Sequence, residues 1–281
     1  MKALAPVAVH EKKDFTYEVK FLIPEAVADA ALVWARKHLT ADPHIDPSKG
    51  DTYTVNSLYF DTPQFDVYQR NGSFGRCKYR VRRYASETTL FLERKLKTRG
   101  LVGKRRTRVP EEEMVFLNHH PAPANWAGSW FQRRLLARQL EPQCQIAYQR
   151  VARVGQSAEG LVRLTLDHQV RCVRLTDVAL PKEVAGLALI PSHAILELKF
   201  QGVTPELFKT LMQDLELIPQ AISKYRLSIQ AFGLDASLNP SPTENDAPVI
   251  PPSGHNGEVR TEPLILNPSP EPQALANPVR G

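Results

Sequence analysis

Hydrophobic and polar positions alternate along Ala194-Ile195-Leu196-Glu197-Leu198-Lys199-Phe200, with Leu196, Leu198 and Phe200 on one parity and Glu197 and Lys199 on the other. Successive side chains of an extended strand point to opposite faces, so this spacing predicts a strand with one apolar and one charged face. The arrangement recurs along the chain. Lys78, Arg80 and Arg82 alternate with Tyr79 and Val81, while Glu93, Lys95 and Lys97 stand opposite Leu92 and Leu96. Glu18 and Lys20 share a parity near the start, Tyr148 and Arg150 do so in the middle, and Arg163, Thr165 and Asp167 flank Leu164 and Leu166. At least six strands therefore carry a charged face.

Helical spacing fills the intervals between the strands. Pro24 opens a helix with Val27, Ala30, Ala31, Trp34 and His38 on one stripe, proline being suited to a helix's first turn. Residues 111–118 and 129–140 read as helices, the second capped by Ser129 with Phe131, Leu135 and Leu136 turned inward. Thr204-Pro205 starts another, with a stripe of Leu207, Leu211 and Leu215 beside Phe208 and Met212. Strands are predicted over 52–60, 145–154, 161–168 and 169–175, the second and third carrying the charged positions 148/150 and 163/165/167; Asn71-Gly72 reads as a turn and the basic stretch 99–106 as a loop. That loop lacks the GxxxxGK[ST] spacing of a strand-to-helix phosphate loop.

Two readings compete for the charged faces. They are the solvated outer surface of an antiparallel sheet, or they face inward round a wet tunnel with helices on the apolar outside. Composition bears on the choice, because these faces hold cations and a few carboxylates but almost none of the Thr, Ser, Gln and Asn of ordinary solvated strands. The whole chain has 36 Lys and Arg against 30 Asp and Glu, a net charge of +6 and a pI near 9.2. Such a balance points to an anionic partner.

At 281 residues the chain can bury a sizeable core. It has no apolar run long enough to span a bilayer and no signal-peptide core near its start, so a cytoplasmic location is expected. Cys77, Cys144 and Cys172 are odd in number and lack metal-ligand spacing, which predicts reduced core thiols. His119-His120 is a poor metal pair, since adjacent residues point apart. Residues 1–13 read as a flexible arm and 14–233 as one domain. Residues 234–281, with ten of the 23 prolines, read as a disordered tail able to offer short extended recognition stretches to a partner.

If the charged faces converge, Lys20, Arg80, Arg82, Lys95, Lys104, Arg150, Arg163, Lys199 and Lys224 surround one cavity, with Glu18, Glu93, Asp167 and Glu197 among them. Arginine forks suit phosphate oxygens and lysine acts as a mobile point charge. The carboxylates either neutralise neighbouring cations or hold a hard divalent ion together with substrate phosphates. Glu197 is the preferred ligand. No Ser-His-Asp or Cys-His arrangement is present, and phosphoryl transfer needs none.

The ordered motifs Tyr17-Glu18-Val19-Lys20, Ser57-Leu58-Tyr59-Phe60-Asp61-Thr62, Arg80-Val81-Arg82, Leu92-Glu93-Arg94-Lys95, Lys104-Arg105-Arg106, Tyr148-Gln149-Arg150, Arg163-Leu164-Thr165-Leu166-Asp167, Leu196-Glu197-Leu198-Lys199 and Ser223-Lys224-Tyr225 span residues 14–233. Their succession closely resembles the VTC domain, the polyphosphate polymerase domain of vacuolar transporter chaperone complexes, in its stand-alone bacterial form. The resemblance implies an α+β fold of the triphosphate tunnel metalloenzyme, CYTH-like type: an antiparallel eight-stranded β-tunnel with helices outside. It implies a phosphotransferase that moves the terminal phosphate of ATP onto polyphosphate, with Mn²⁺ or Mg²⁺. Carried over residue by residue, Lys20, Arg80, Arg82, Lys95, Arg150 and Arg163 form the catalytic cation set. Lys104, Tyr148, Lys199, Ser223 and Lys224 would bind phosphate, and Glu197, Glu18 and Glu93 the metal.

Related triphosphatases begin with ExExK, whereas Thr16 stands at the first position here; that departure favours polymerase over inorganic triphosphatase or NTPase. The remaining alternative is a non-catalytic polyphosphate sensor, which has little use for a buried carboxylate. Nucleic acid is not expected, because the charged faces carry few aromatic residues for base stacking.

Overall fold

The computed structural model describes residues 16–42, 50–85, 87–98, 101–119 and 122–234. The arm and tail expected at 1–13 and 234–281 lie outside these residues, Leu234 excepted, and so do Arg99, Gly100 and His120. Ten strands form one antiparallel sheet among the described residues. In chain order they are β1 Tyr17–Pro24, β2 Thr40–Ala41, β3 Thr52–Asp61, β4 Cys77–Tyr84, β5 Thr89–Thr98, β6 Leu101–Pro110, β7 Glu141–Ser157, β8 Gly160–Arg174, β9 Leu187–Ala188 and β10 His193–Phe200. The eight long ones follow the order β1-β10-β8-β7-β3-β4-β5-β6.

The sheet is rolled round an interior without closing into a barrel. Its two edge strands meet at one bridge, where the Val102 N–H donates to the Thr16 carbonyl at 3.3 Å. Elsewhere β1 is covered by residues 219–222, the Gln220 N–H donating to the Lys20 carbonyl at 2.8 Å. One of β1's free carbonyls is thereby satisfied, as an edge strand requires.

Helices cover the outside in two groups. The helices α1 Glu25–His38 and α4 Glu206–Asp214 pack Ala28, Ala31, Ala35, Phe208 and Leu211 against Val19, Phe21, Leu196, Leu198 and Phe200. The helix α3 Ser129–Ala137 and the 3₁₀ turn Glu111–Leu117 bring Phe131, Trp130, Leu135, Met114 and Leu117 onto Leu58, Phe60, Tyr79, Val81 and Leu92. With the apolar parity under helices, the charged parity faces inward. Two further helices, α2 Asp66–Gln69 and α5 Lys224–Ala231, pack together. Asp61 joins them, accepting the N–H groups of Thr62, Val67 and Tyr68 and, at 2.6 Å, the Tyr225 hydroxyl.

Several sequence expectations are corrected. The buried stripe of α1 is Ala28, Ala31 and Ala35, because alanines let the helix lie close on the sheet; Ala30 is exposed, and Trp34 is left half-buried on the flank, stacked on exposed His38 at 4.6 Å. In α3 Leu136 is exposed while Trp130 and Gln132 are buried, and Gly128, not Ser129, is the cap. The stretch expected as two strands over 161–175 is one strand, β8, which passes through Gln169 at φ 52°. The described part of the basic loop, 101–106, is strand β6. Cys77, Cys144 and Cys172 are free thiols, as expected, with Cys144 and Cys172 buried.

Candidate functional site

The inward parity encloses one cavity of about 1410 Å³. Its lining runs from Arg76, just before β4, to Ala85, just after it. Those ends are nine residue steps apart, about 30 Å at roughly 3.3 Å per residue. Lys20, Arg80, Arg82, Lys95, Lys104, Tyr148, Arg150, Arg163, Lys199, Ser223, Lys224, Glu18 and Glu197 all line this cavity. Glu93 does not; it lies beneath the wall, 1% exposed.

Strand register puts cations and carboxylates side by side, and their pairing follows. Glu18 opposes Lys199, and Lys20 opposes Glu197, across β1 and β10. The result is an alternating chain: Lys95 reaches Glu18 at 2.5 Å, Lys199 sits 3.3 Å from Glu18 and 2.8 Å from Glu197, and Lys20 lies 3.1 Å from Glu197. Burial alone would raise the pKa of both carboxyls and Glu197 would raise that of Glu18 further, but the lysines outweigh this. Glu18 is held down to about 2 and Glu197 well below the usual carboxylate range. Both are ionised at neutral pH.

A second group forms across β6, β5, β4 and β3, where Arg106, Glu93, Arg80 and Tyr59 stand abreast. Arg80 donates to one Glu93 oxygen through Nε at 2.7 Å and Nη2 at 2.6 Å, and Arg106 does the same to the other at 2.7 and 2.6 Å. Arg80 also donates to the Tyr59 hydroxyl at 3.1 Å, and Arg106 to that of Tyr84 at 2.7 Å. Burial would raise the Tyr84 phenol, yet Arg82 and Arg106 bring it down to about 7.

A third group centres on Asp167. Arg150 grips it with Nε at 2.6 Å and Nη2 at 2.7 Å, and Lys224 donates to it at 2.6 Å. Asp42 receives Arg163 at 2.6 Å. Arg82 has no carboxylate partner among the described residues and donates instead to Ser57 at 3.0 Å, Tyr148 at 3.1 Å and Tyr84 at 3.4 Å. Each fork is held by fixed acceptors, so its remaining N–H groups are pre-aimed.

Lys78, Arg106, Arg108, Tyr59 and Tyr84 also line the cavity and were absent from the residues assigned to the site by sequence. Their signal was present. Lys104, Arg106 and Arg108 share a parity, but the glycines and dense charge of the segment read as loop. His119 is exposed, its Nδ1 2.9 Å from the Val115 carbonyl.

Whether this wall suits a divalent cation turns on its oxygen donors. Among the described residues no three His, Cys, Asp or Glu side chains gather as an all-protein cage. Glu18 and Glu197, however, both line the cavity and already hold one cation between them, the Lys199 ammonium. Two ionised carboxylates at the cavity surface fit an ion that completes its shell with phosphates and water. Glu93 does not fit, because both its oxygens are engaged by arginines and sealed from the cavity.

The family model for the VTC domain matches residues 15–232. No curated protein matches the chain. Among solved structures, similarity is found to a candidate adenylate cyclase of Bacillus halodurans, with a TM-score of 0.47 at 16% identity over 79% of this chain and 99% of that one. A candidate adenylyl cyclase from Hippeastrum, described as having a dominant triphosphatase activity, gives 0.44 at 14% identity over 78% and 95%. The PH1819 protein of Pyrococcus horikoshii gives 0.42 at 10% over 77% and 99%.

Proposed function

The chain belongs to the VTC domain family, and from that premise and the cavity's geometry we propose that it is a metal-dependent polyphosphate polymerase, transferring the γ-phosphoryl group of ATP to a growing polyphosphate chain. The observation that carries this reading is the Lys95–Glu18–Lys199–Glu197–Lys20 chain set into a cavity whose wall also carries Arg80, Arg82, Arg106, Arg150 and Arg163. In a purely anion-binding wall two ionised carboxylates serve only to hold the lysines in place. A wall that also recruits a divalent ion gives them a second use.

Phosphoryl transfer proceeds through a loose transition state with charge spread over the oxygens, so positioning and electrostatic stabilisation supply most of the catalysis. In this reading Arg80, Arg82 and Arg150 grip phosphate oxygens with the N–H groups their anchors leave free. Lys20, Lys95 and Arg163 neutralise the groups on either side, and Lys104, Tyr148, Lys199, Ser223 and Lys224 hold the flanking phosphates. Glu197 and Glu18 would hold Mn²⁺ or Mg²⁺, which when bound would neutralise phosphate charge. Glu93 is assigned a different role from the one its motif implies: it orients Arg80 and Arg106. Hydrolysis would need a carboxylate free to orient water; Glu18, Glu93, Asp167 and Glu197 all hold cations, which favours transfer over hydrolysis.

The test is to incubate the full chain with ATP and Mn²⁺ and resolve products on a urea gel stained for polyphosphate. A ladder with matching ADP, absent in Glu197→Ala, is the expected result. Free phosphate without a ladder would move the assignment to a hydrolase, and triphosphate binding without turnover under any metal to a sensor.

A further inference from the structure

The outside of the sheet carries a cationic cluster of its own, apart from the cavity. Arg94 of β5 and Arg105 of β6 are direct cross-strand partners, on the parity of Leu92, which packs beneath α3. Like charges so opposed are destabilising. Arg133 and Arg134, both exposed on α3, join them: the charged groups acting on Arg105 are Arg94, Arg134 and Arg133, with no carboxylate among them. None of the four lines the cavity, and none forms an ion pair among the described residues. Arg105 lies over the Trp130 ring at 4.1 Å, which fixes the plane of its fork. The Arg94 Nε is buried with no hydrogen-bond partner among the described residues.

A surface of this kind fits an acidic partner, and the chain itself contains one. Residues 235–281 carry six Asp and Glu against two Lys and Arg. Of the chain's net charge of +6 they hold −4, which leaves +10 on the residues before them. Leu234, the last described residue, packs with Phe232 on the same apolar cluster as Trp130 and Phe131 of α3. From Glu244 onward the acidic residues stand ten or more positions beyond it, a reach of up to about 33 Å for the nearest, against a radius of gyration of about 17 Å for a domain of this size. A segment tethered to its own target is present at a high effective concentration and outcompetes a free anion of equal affinity. The cavity is the poorer host for it, because Lys20, Arg80, Lys95, Arg150 and Lys199 are already paired with carboxylates.

We propose that Arg94, Arg105, Arg133 and Arg134 form a docking surface for the acidic segment 235–281 of the same chain. Its carboxylates supply the counter-charge that the Arg94–Arg105 pair lacks, Glu244 and Asp246 being the most closely spaced in sequence, and guanidinium forks accept carboxylates bidentately. The inference does not depend on the chemistry of the cavity. It gives the outer wall a use of its own, which is to hold an acidic segment away from a basic interior.

The experiment uses the full chain in two doubly substituted forms. Arg133→Lys with Arg134→Lys keeps the charge and introduces amines that a zero-length carbodiimide joins to carboxylates in contact with them. Peptide mapping by mass spectrometry is expected to find both positions joined to acidic residues of 235–281 within one chain. In Arg133→Glu with Arg134→Glu, two attractive charges become repulsive, and the backbone amides of 241–272 are expected to exchange about fivefold faster than in the parent. Absence of those joins, or exchange unchanged in the charge-reversed chain, would overturn the docking. Joins formed only between two chains would overturn it in favour of a second copy, and joins formed instead at cavity lysines such as Lys104 would place the segment inside.

Discussion

Substituting Glu93 by Gln separates two roles that its position in the chain allows. Glu93 is 1% exposed and holds Arg80 and Arg106, which are 18% and 23% exposed, by four hydrogen bonds of 2.6–2.7 Å. Glutamine is isosteric but neutral, and it turns an NH₂ group toward one of the two arginines. Removing one partner of a buried ion pair costs about 3–5 kcal/mol. Because the amide oxygen still accepts from one guanidinium, we place Glu93→Gln at the lower end, about 3 kcal/mol. That is a large share of a typical stability of about 5–15 kcal/mol. It corresponds to a fall in melting temperature of roughly 6–12 °C for a domain of this size. Burial would raise the Glu93 pKa, but Arg80, Arg82, Arg106 and Lys104 hold it well below the usual range. Its stabilising contribution is therefore complete above the unfolded-state pKa near 4.3 and is lost as pH falls through the lower folded value. The assay is urea unfolding from pH 7 to pH 3, with and without triphosphate. The variant should be less stable at pH 7, lose less on acidification and recover more with triphosphate, which supplies the missing negative charge. A loss under about 1 kcal/mol at pH 7, together with abolished metal dependence of binding, would refute the reasoning and restore Glu93 as a metal ligand.

Two further outcomes are expected. Burial, with Arg106 and Arg80 nearby, outweighs Glu93 and brings Lys104 down to about 8; its positive charge is present below that pH and lost above it. Triphosphate affinity should fall between pH 7 and 9, and Lys104→Arg should flatten that fall in the same binding series. Lys199→Met removes the ammonium between Glu18 and Glu197. Mn²⁺ binding without nucleotide, followed by electron paramagnetic resonance, should tighten about tenfold; unchanged binding would argue against that carboxylate pair as the metal site.

The charged strand faces were legible because alternation at period two survives in the sequence wherever one face is buried and the other is dedicated to a ligand. Glu197 with Lys199, and Arg80 with Arg82, could thus be placed on the charged faces of their strands from the sequence alone. Period alone could not say whether that wall faced solvent or an interior, and the rolled sheet decides it. Strand β6 was hidden because Gly103 and consecutive basic residues mimic a loop, although Arg105 stacks on Trp130 at 4.1 Å and Thr107 accepts the Trp130 indole N–H at 2.8 Å. The stripe of α1 was misplaced by giving weight to Trp34, when closeness to the sheet selects the alanines. Glu93 shares its parity with Lys95, yet depth beneath the arginines, which parity does not encode, sets it apart.

The place of β1 in the sheet has a consequence for how the chain is made. Its neighbour along the whole of its length, β10, comes from near the other end of the domain, with Tyr17 opposite Phe200 and Pro24 opposite His193. The segment that covers its other side, 219–222, is later still. On a ribosome this first strand of the domain is therefore among the last of its strands to find its hydrogen-bond partners, with only the Thr16–Val102 bridge available earlier among the described residues. Non-local pairing of this kind folds slowly and leaves a strand edge open to other chains meanwhile. Truncation before residue 193 would remove both β10 and α4, stripping Val19 and Phe21 of Leu196, Leu198, Phe200, Phe208 and Leu211 and leaving only α1 over them.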